Sequence, residues 1–141
     1  KGASVVLPLH ADGRVVLVRQ YRYPSDEVLL ELPAGKLDPG EEPRSCAGRE
    51  LAEETGFQAV EIRELGSFLT TPGFSDEVIH AFIATPLVAA PVSVQDPDEV
   101  IDLVEMPSAE LLEACRTGEI RDAKTLATIL LAQLNGWIRC Q

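Results

Sequence analysis

Cysteine is scarce in this 141-residue chain, and the scarcity removes several chemistries at once. Cys46, Cys115 and Cys140 are odd in number, far apart and include no CxxC pair. They make neither a disulfide framework nor a thiolate metal site. A reduced, cytoplasmic setting is the expectation. Histidine is scarcer still. His10 and His80 stand alone, so no zinc site with its several nitrogen or sulfur ligands is predicted. No triad-like constellation of Ser, Cys and His is present. Positive charge is also short: 12 Lys and Arg against 23 Asp and Glu leave a formal net charge of -11. Nucleic acid polymers are held by many cationic contacts to phosphate, so such a partner is not expected. No apolar run approaches the length that spans a bilayer, so no membrane partner is expected either. No Met stands ahead of Lys1-Gly2-Ala3, which leaves room for a missing N-terminal region or a removed targeting segment.

What is present suffices for a core. Apolar residues make up 45% of the chain, and its length suits one domain over residues 1–141. Acidity does not exclude a small phosphorylated substrate, because divalent cations invert the charge of a local acidic site. Residues 4–10 and 14–20 are rich in Val and Leu and flank the turn signal Ala11-Asp12-Gly13, which reads as a β-hairpin. Residues 28–32 form another short strand, and residues 33–40, with two Gly and two Pro, a loop. Pro43 suits the first turn of a helix and Gly56 its end. Residues 57–69 read as one or two strands, 78–84 as another and 100–105 as the last. Residues 108–116 and 122–137 carry helical spacing. Mixed strands with a few helices packed on them give an α+β fold, an α/β/α sandwich with a mixed β-sheet.

The helix between Pro43 and Gly56 is acidic. Glu50 and Glu54 are four apart and share a face, with Glu53 beside them. Ala47 and Leu51 form an apolar stripe on the adjacent face. Arg49, four before Glu53, is the one compensating charge in the cluster. Carboxylates crowded this way suit a hard divalent cation, which takes oxygen ligands. A solvated acidic face is the competing explanation.

Spacing decides between them. Gly35, Glu41, Arg49, Glu50, Leu51, Glu53, Glu54, Gly56 and Phe57 fit G-x5-E-x7-R-E-U-x-E-E-x-G-U without a mismatch, U being apolar. The seven fixed identities would coincide by chance at roughly 10⁻⁸ per start position. This pattern resembles the signature of the Nudix hydrolase family. The resemblance implies hydrolysis of a nucleoside diphosphate linked to another moiety, with Mg2+ or Mn2+ as cofactor. It also implies that Glu50 and Glu54 are the main metal ligands, with Glu53 close by, the Ala34 carbonyl a further ligand and Arg49 part of the catalytic cluster. Gly35 would let the loop bend close to the metal. A catalytically silent, nucleotide-sensing relative is the reading from another class. Its mark would be a lost carboxylate, yet Glu50, Glu53 and Glu54 are all present.

Two flanking segments narrow the substrate. Gln20-Tyr21-Arg22 ahead of Glu31-Leu32-Pro33-Ala34-Gly35-Lys36 resembles the ADP-ribose pyrophosphatase branch. So does Thr71-Pro72-Gly73-Phe74-Ser75-Asp76-Glu77, with Pro72 fifteen residues after Phe57. The resemblance makes ADP-ribose the leading substrate, with another nucleotide sugar or a dinucleoside polyphosphate as alternatives. Arg22 is the candidate phosphate contact, because its planar fork suits phosphate oxygens. Arg19, Lys36, Gly73 and Phe74 are further substrate-binding candidates. Three residues compete for the general base: Glu53, Glu77 and Asp76. The resemblance favours Glu77, the position matching a glutamate implicated in that branch. Members of the branch carry a small β-rich region ahead of the Nudix fold that helps build a dimer. Homodimerisation is therefore an open expectation for this chain.

Overall fold

The computed structural model describes residues 2–91 and 101–140. In chain order the elements are β1 (Gly2–Pro8), β2 (Arg14–Arg22), β3 (Glu27–Glu31), β4 (Ala34–Lys36), α1 (Pro43–Thr55), β5 (Phe57–Leu69), β6 (Val78–Ala89), β7 (Asp102–Pro107), α2 (Ser108–Thr117) and α3 (Ala123–Leu134).

Strand β1 organises the rest. It is an almost unbroken apolar run, as expected of a strand buried on both faces. Val5, Val6 and Leu7 are fully buried. Side chains alternate across a strand, so β1 feeds two cores. Ala3, Val5 and Leu7 join the larger cluster, with Ile79, Ala81 and Ile83 of β6. Val6 turns the other way, onto Ala47 and Leu51 of α1 and Phe82 and Ala84 of β6. Ser4 shares that second face and donates from Oγ to the Pro43 carbonyl at 2.7 Å, fastening the start of α1.

Two sheets result. One is mixed, in the order β4-β1-β6-β5, with β1 parallel to β6 and the other pairs antiparallel. The other is antiparallel, β3-β2-β7. Helix α1 covers one face of the mixed sheet, and residues of α2 and α3 pack into the larger cluster on the other. This is the expected α/β/α sandwich with a mixed sheet.

The hairpin expected from residues 4–10 and 14–20 does not form. The turn exists, with the Gly13 N–H donating to the His10 carbonyl at 3.0 Å and the His10 N–H to Arg14 at 2.9 Å. Beyond it a single bridge, Leu9 to Val15, joins the arms before they part into different sheets. β1 is apolar on both faces and needs partners on both edges, which β4 and β6 supply. The loop expected over residues 33–40 holds β4, three residues laid against β1. Residues 57–69 are one strand, with a bulge between Glu64 and Gly66. The strand from residue 78 runs on to Ala89. Val100, the expected start of the last strand, lies outside the described residues.

Helix α1 keeps its predicted ends. Pro43 occupies its first turn, and Gly56 closes it in the left-handed region at φ 73°. The Gly56 N–H there returns to the Ala52 carbonyl at 2.9 Å. Leu51, with no exposed surface, anchors the helix to the sheet. Truncating a buried Leu costs about 2–5 kcal/mol through lost transfer energy and the cavity left behind. Leu51→Ala should therefore lower unfolding stability by that amount in a guanidinium titration. A loss below about 1 kcal/mol would mean that α1 is held by something other than this contact.

Candidate active site

The acidic motif folds around an arginine. Arg49 is about a quarter exposed and fans its guanidinium over four acceptors. Nε donates to Glu41 Oε1 at 2.8 Å and Nη2 to Glu41 Oε2 at 2.9 Å, a two-pronged pair. Nη1 reaches Glu50 at 2.7 Å and Glu53 at 3.2 Å, and Nη2 also reaches the Lys36 carbonyl at 3.1 Å. The Glu41 carboxylate receives the Asp38 N–H as well, at 2.9 Å. Arg49 and this N–H hold the Glu41 pKa down to about 2. Hydrogen bonding to Glu41, then to Glu50, pushes the Arg49 pKa up in turn. The sequence shows the pairing with Glu53; the stronger tie to Glu41, eight residues earlier, depends on the fold.

Glu50 and Glu54 point off α1 into a cleft of about 660 Å³. Ala34, Gly35, Lys36, Arg49 and Glu77 line it with them. Glu54, 8% exposed, accepts from the Ala34 N–H at 3.3 Å. Gly35 has a steric reason to be glycine: a Cβ there would fall on the Glu50 carboxylate. Across the cleft, Glu77 accepts from Thr70 Oγ1 at 3.0 Å. Cys46 is fully buried behind the motif, and burial raises its thiol pKa, which keeps it a neutral packing group.

The structure thus brings Ala34, Arg49, Glu50, Glu54, Glu77, Lys36 and Arg22 to one cleft. Glu53, Arg19, Gly73 and Phe74 are not among its lining residues. Helix geometry turns Glu53 about a sixth of a turn from Glu50 and more than about a quarter of a turn from Glu54. Arg19 is exposed on β2, and Phe74 is 88% exposed at the tip of its loop. Asp76 faces a neighbouring hollow of about 490 Å³, which shares Lys36 and Glu77 with the cleft.

One cluster at the cleft was not legible as a site. Glu31 is 1% exposed, yet it accepts a two-pronged pair from Arg22 at 2.7 and 2.8 Å and a third bond from Lys124 at 2.6 Å. Burial raises the Glu31 pKa, but the two cations outweigh it and the net direction is down. Lys124 also meets Asp122 at 2.9 Å. A charged residue inside the apolar run of residues 28–32 was the available signal for Glu31; Lys124 gave none.

The donor chemistry suits a divalent cation. Glu50, Glu54, Glu77 and the Ala34 backbone offer hard oxygen atoms in the cleft, and Gly35 leaves the Glu50 carboxylate room to stand there. Among the described residues, no three His, Cys, Asp or Glu side chains already converge as a finished coordination cluster. Magnesium does not need one, because it keeps waters and shares its ligands with substrate phosphate.

Comparison with known proteins agrees with the geometry. A family profile described as the NUDIX domain matches residues 1–129. An ADP-ribose pyrophosphatase of Bacillus subtilis is 38% identical over 99% of this chain and 76% of its own. A GDP-mannose pyrophosphatase of Yersinia enterocolitica is 36% identical over 98% of this chain and 76% of its own. A solved ADP compounds hydrolase superposes with a TM-score of 0.85 at 23% identity, covering 97% of this chain and 75% of that one; it speaks to the fold alone. With the profile spanning most of its length and Gly35, Arg49, Glu50 and Glu54 of the intact motif lining the cleft, the chain belongs to the Nudix family.

Proposed function

We propose that this Nudix enzyme hydrolyses the diphosphate bond of a nucleoside diphosphate sugar, with ADP-ribose cut to AMP and ribose 5-phosphate. The observation that carries the proposal is the meeting in one cleft of Glu50, Glu54 and Glu77 with the cations Arg22 and Lys36. The carboxylates suit a divalent cation, and the cations suit phosphate oxygens. Glu50, Glu54 and the Ala34 carbonyl would hold Mg2+ or Mn2+, with Glu53 close by. When bound, the ion supplies charge neutralisation at the diphosphate and a lower pKa for the attacking water. Arg49 fixes the rotamers of Glu50 and Glu53 through the bonds described above. Arg22 and Lys36, which line the same cleft, bind the diphosphate oxygens. Glu77 orients the water and takes its proton, and Thr70 holds the Glu77 carboxylate in place. Water oxygen bonds to phosphorus, the bond from phosphorus to the bridging oxygen breaks, and the two monophosphates leave. GDP-mannose is the second reading, favoured by the name of the Yersinia relative.

A panel of ADP-ribose, GDP-mannose, other nucleotide sugars and dinucleoside polyphosphates, scored by released monophosphates, separates these readings. ADP-ribose should give the highest kcat/KM, and only with added magnesium or manganese. A preference of orders of magnitude for another member would overturn the substrate assignment, and full turnover in excess EDTA the metal dependence.

The carboxylate cluster should also respond to metal without any substrate. A ligand that binds only the native state stabilises it by about 2.7 kcal/mol at a hundredfold excess over Kd. Magnesium should raise Tm in differential scanning calorimetry, whereas sodium at equal ionic strength should not. Glu54→Gln should remove most of that difference. An undiminished magnesium shift in this variant would take Glu54 off the ligand set.

Losing a general base costs roughly 10²–10⁴ in rate. Glu77→Gln should lower kcat by about that factor, with KM and the magnesium-induced Tm shift nearly unchanged. A kcat within about threefold of the parent would move the role to Glu53 or Asp76.

A further inference from the structure

Lys124 lies far from the acidic motif in sequence, yet it lines the same cleft. Its side chain is only 20% exposed, although lysine carries one of the most strongly hydrated charges among side chains. Burying a charge needs a partner, and Lys124 has two: Glu31 at 2.6 Å and Asp122 at 2.9 Å. Asp122 also caps α3, accepting from the Thr125 N–H at 3.0 Å and Thr125 Oγ1 at 2.6 Å. Thr125 Oγ1 accepts in turn from the Leu32 N–H at 3.0 Å. The first turn of α3 is therefore bolted to the strand that carries Glu31.

Among the described residues, protein partners take some but not all of the donors on either cation. An ammonium has three N–H donors, and two of those on Lys124 are engaged. A guanidinium has five, and the fork from Arg22 to Glu31 uses two. Both cations line the same cleft as Glu50 and Glu54. An ion pair serving only to dock α3 could sit away from the cleft with its donors filled.

We propose that Lys124 is a substrate-binding residue, which with Arg22 on the shared Glu31 carboxylate forms a cationic subsite for the non-bridging oxygens of the diphosphate. This rests on the reading of the cleft as a diphosphate site. Glu31 acts as the positioning residue: it fixes both cations and cancels part of their mutual repulsion while the cleft is empty. The lining of the cleft is then set by α3 as well as by the acidic helix.

The test compares the parent, Lys124→Met and Lys124→Arg in magnesium buffer. One readout is KM and kcat for ADP-ribose. The other is the Kd for methylenediphosphonate, a diphosphate analogue whose P–C–P bridge is not hydrolysed, by calorimetry. Tm monitors folding in each variant. Lys124→Met should weaken diphosphonate binding about tenfold or more, the range for a lost charged hydrogen bond, and raise KM more than it lowers kcat. Lys124→Arg should restore binding to within about threefold. Diphosphonate binding unchanged within about twofold in Lys124→Met, or no binding by the parent, would overturn the subsite. So would equal weakening in both variants that tracks their loss of Tm, since that marks a purely structural role. Diphosphonate binding that depends on Lys124, in a parent that turns over no nucleotide sugar, would leave the subsite standing and overturn the proposed function instead.

Discussion

Like-charge repulsion is the constraint around which this molecule is built. Glu41, just ahead of α1, crowds against Glu50, Glu53 and Glu54 along it, and something must hold these like charges together. Arg49 does so by reaching three of them at once and the Lys36 carbonyl besides. Charge-assisted bonds of this kind are roughly twice as strong as neutral ones. The fan also ties α1 to the segment that follows β4, so one side chain links the helix, the loop and the cleft wall. Gly35 completes the arrangement by leaving empty the volume that the Glu50 carboxylate occupies.

A second charge problem is solved beneath Arg22 and Lys124, which line the same cleft. Glu31 is almost without exposed surface, and an unpaired carboxylate there would be costly. Two cations from distant parts of the chain answer it, Arg22 from β2 and Lys124 from α3. The result is a cleft lined by carboxylates and cations together. The same interactions therefore stabilise the fold and shape the site, and a change at Glu31 should register in both.

Local signals carried much of the architecture. Pro43 and Gly56 marked both ends of α1, since each acts through its own backbone geometry. The motif from Gly35 to Phe57 identified the acidic face, because fixed helical spacing turns positions in the sequence into positions on a surface. The hairpin reading failed where the signal was not local. A turn at residues 11–13 says that the chain reverses; it does not say that the arms stay paired. β1, apolar on both faces, was claimed by β4 and β6 instead.

The sequence by itself determined the family, the acidic helix and the type of chemistry, since these rest on residue types at short fixed spacings. Tertiary structure decided which candidates share a cleft. It drew in Glu77 and Lys36, left Glu53, Arg19, Gly73 and Phe74 off its lining, and added Lys124, held by the buried Glu31. The reason is physical. Lys124 stands 93 residues from its partner Glu31, and no periodicity spans that separation. Only packing α3 against the core brings the ammonium to the buried carboxylate, so that pair exists in the fold and nowhere in the local sequence.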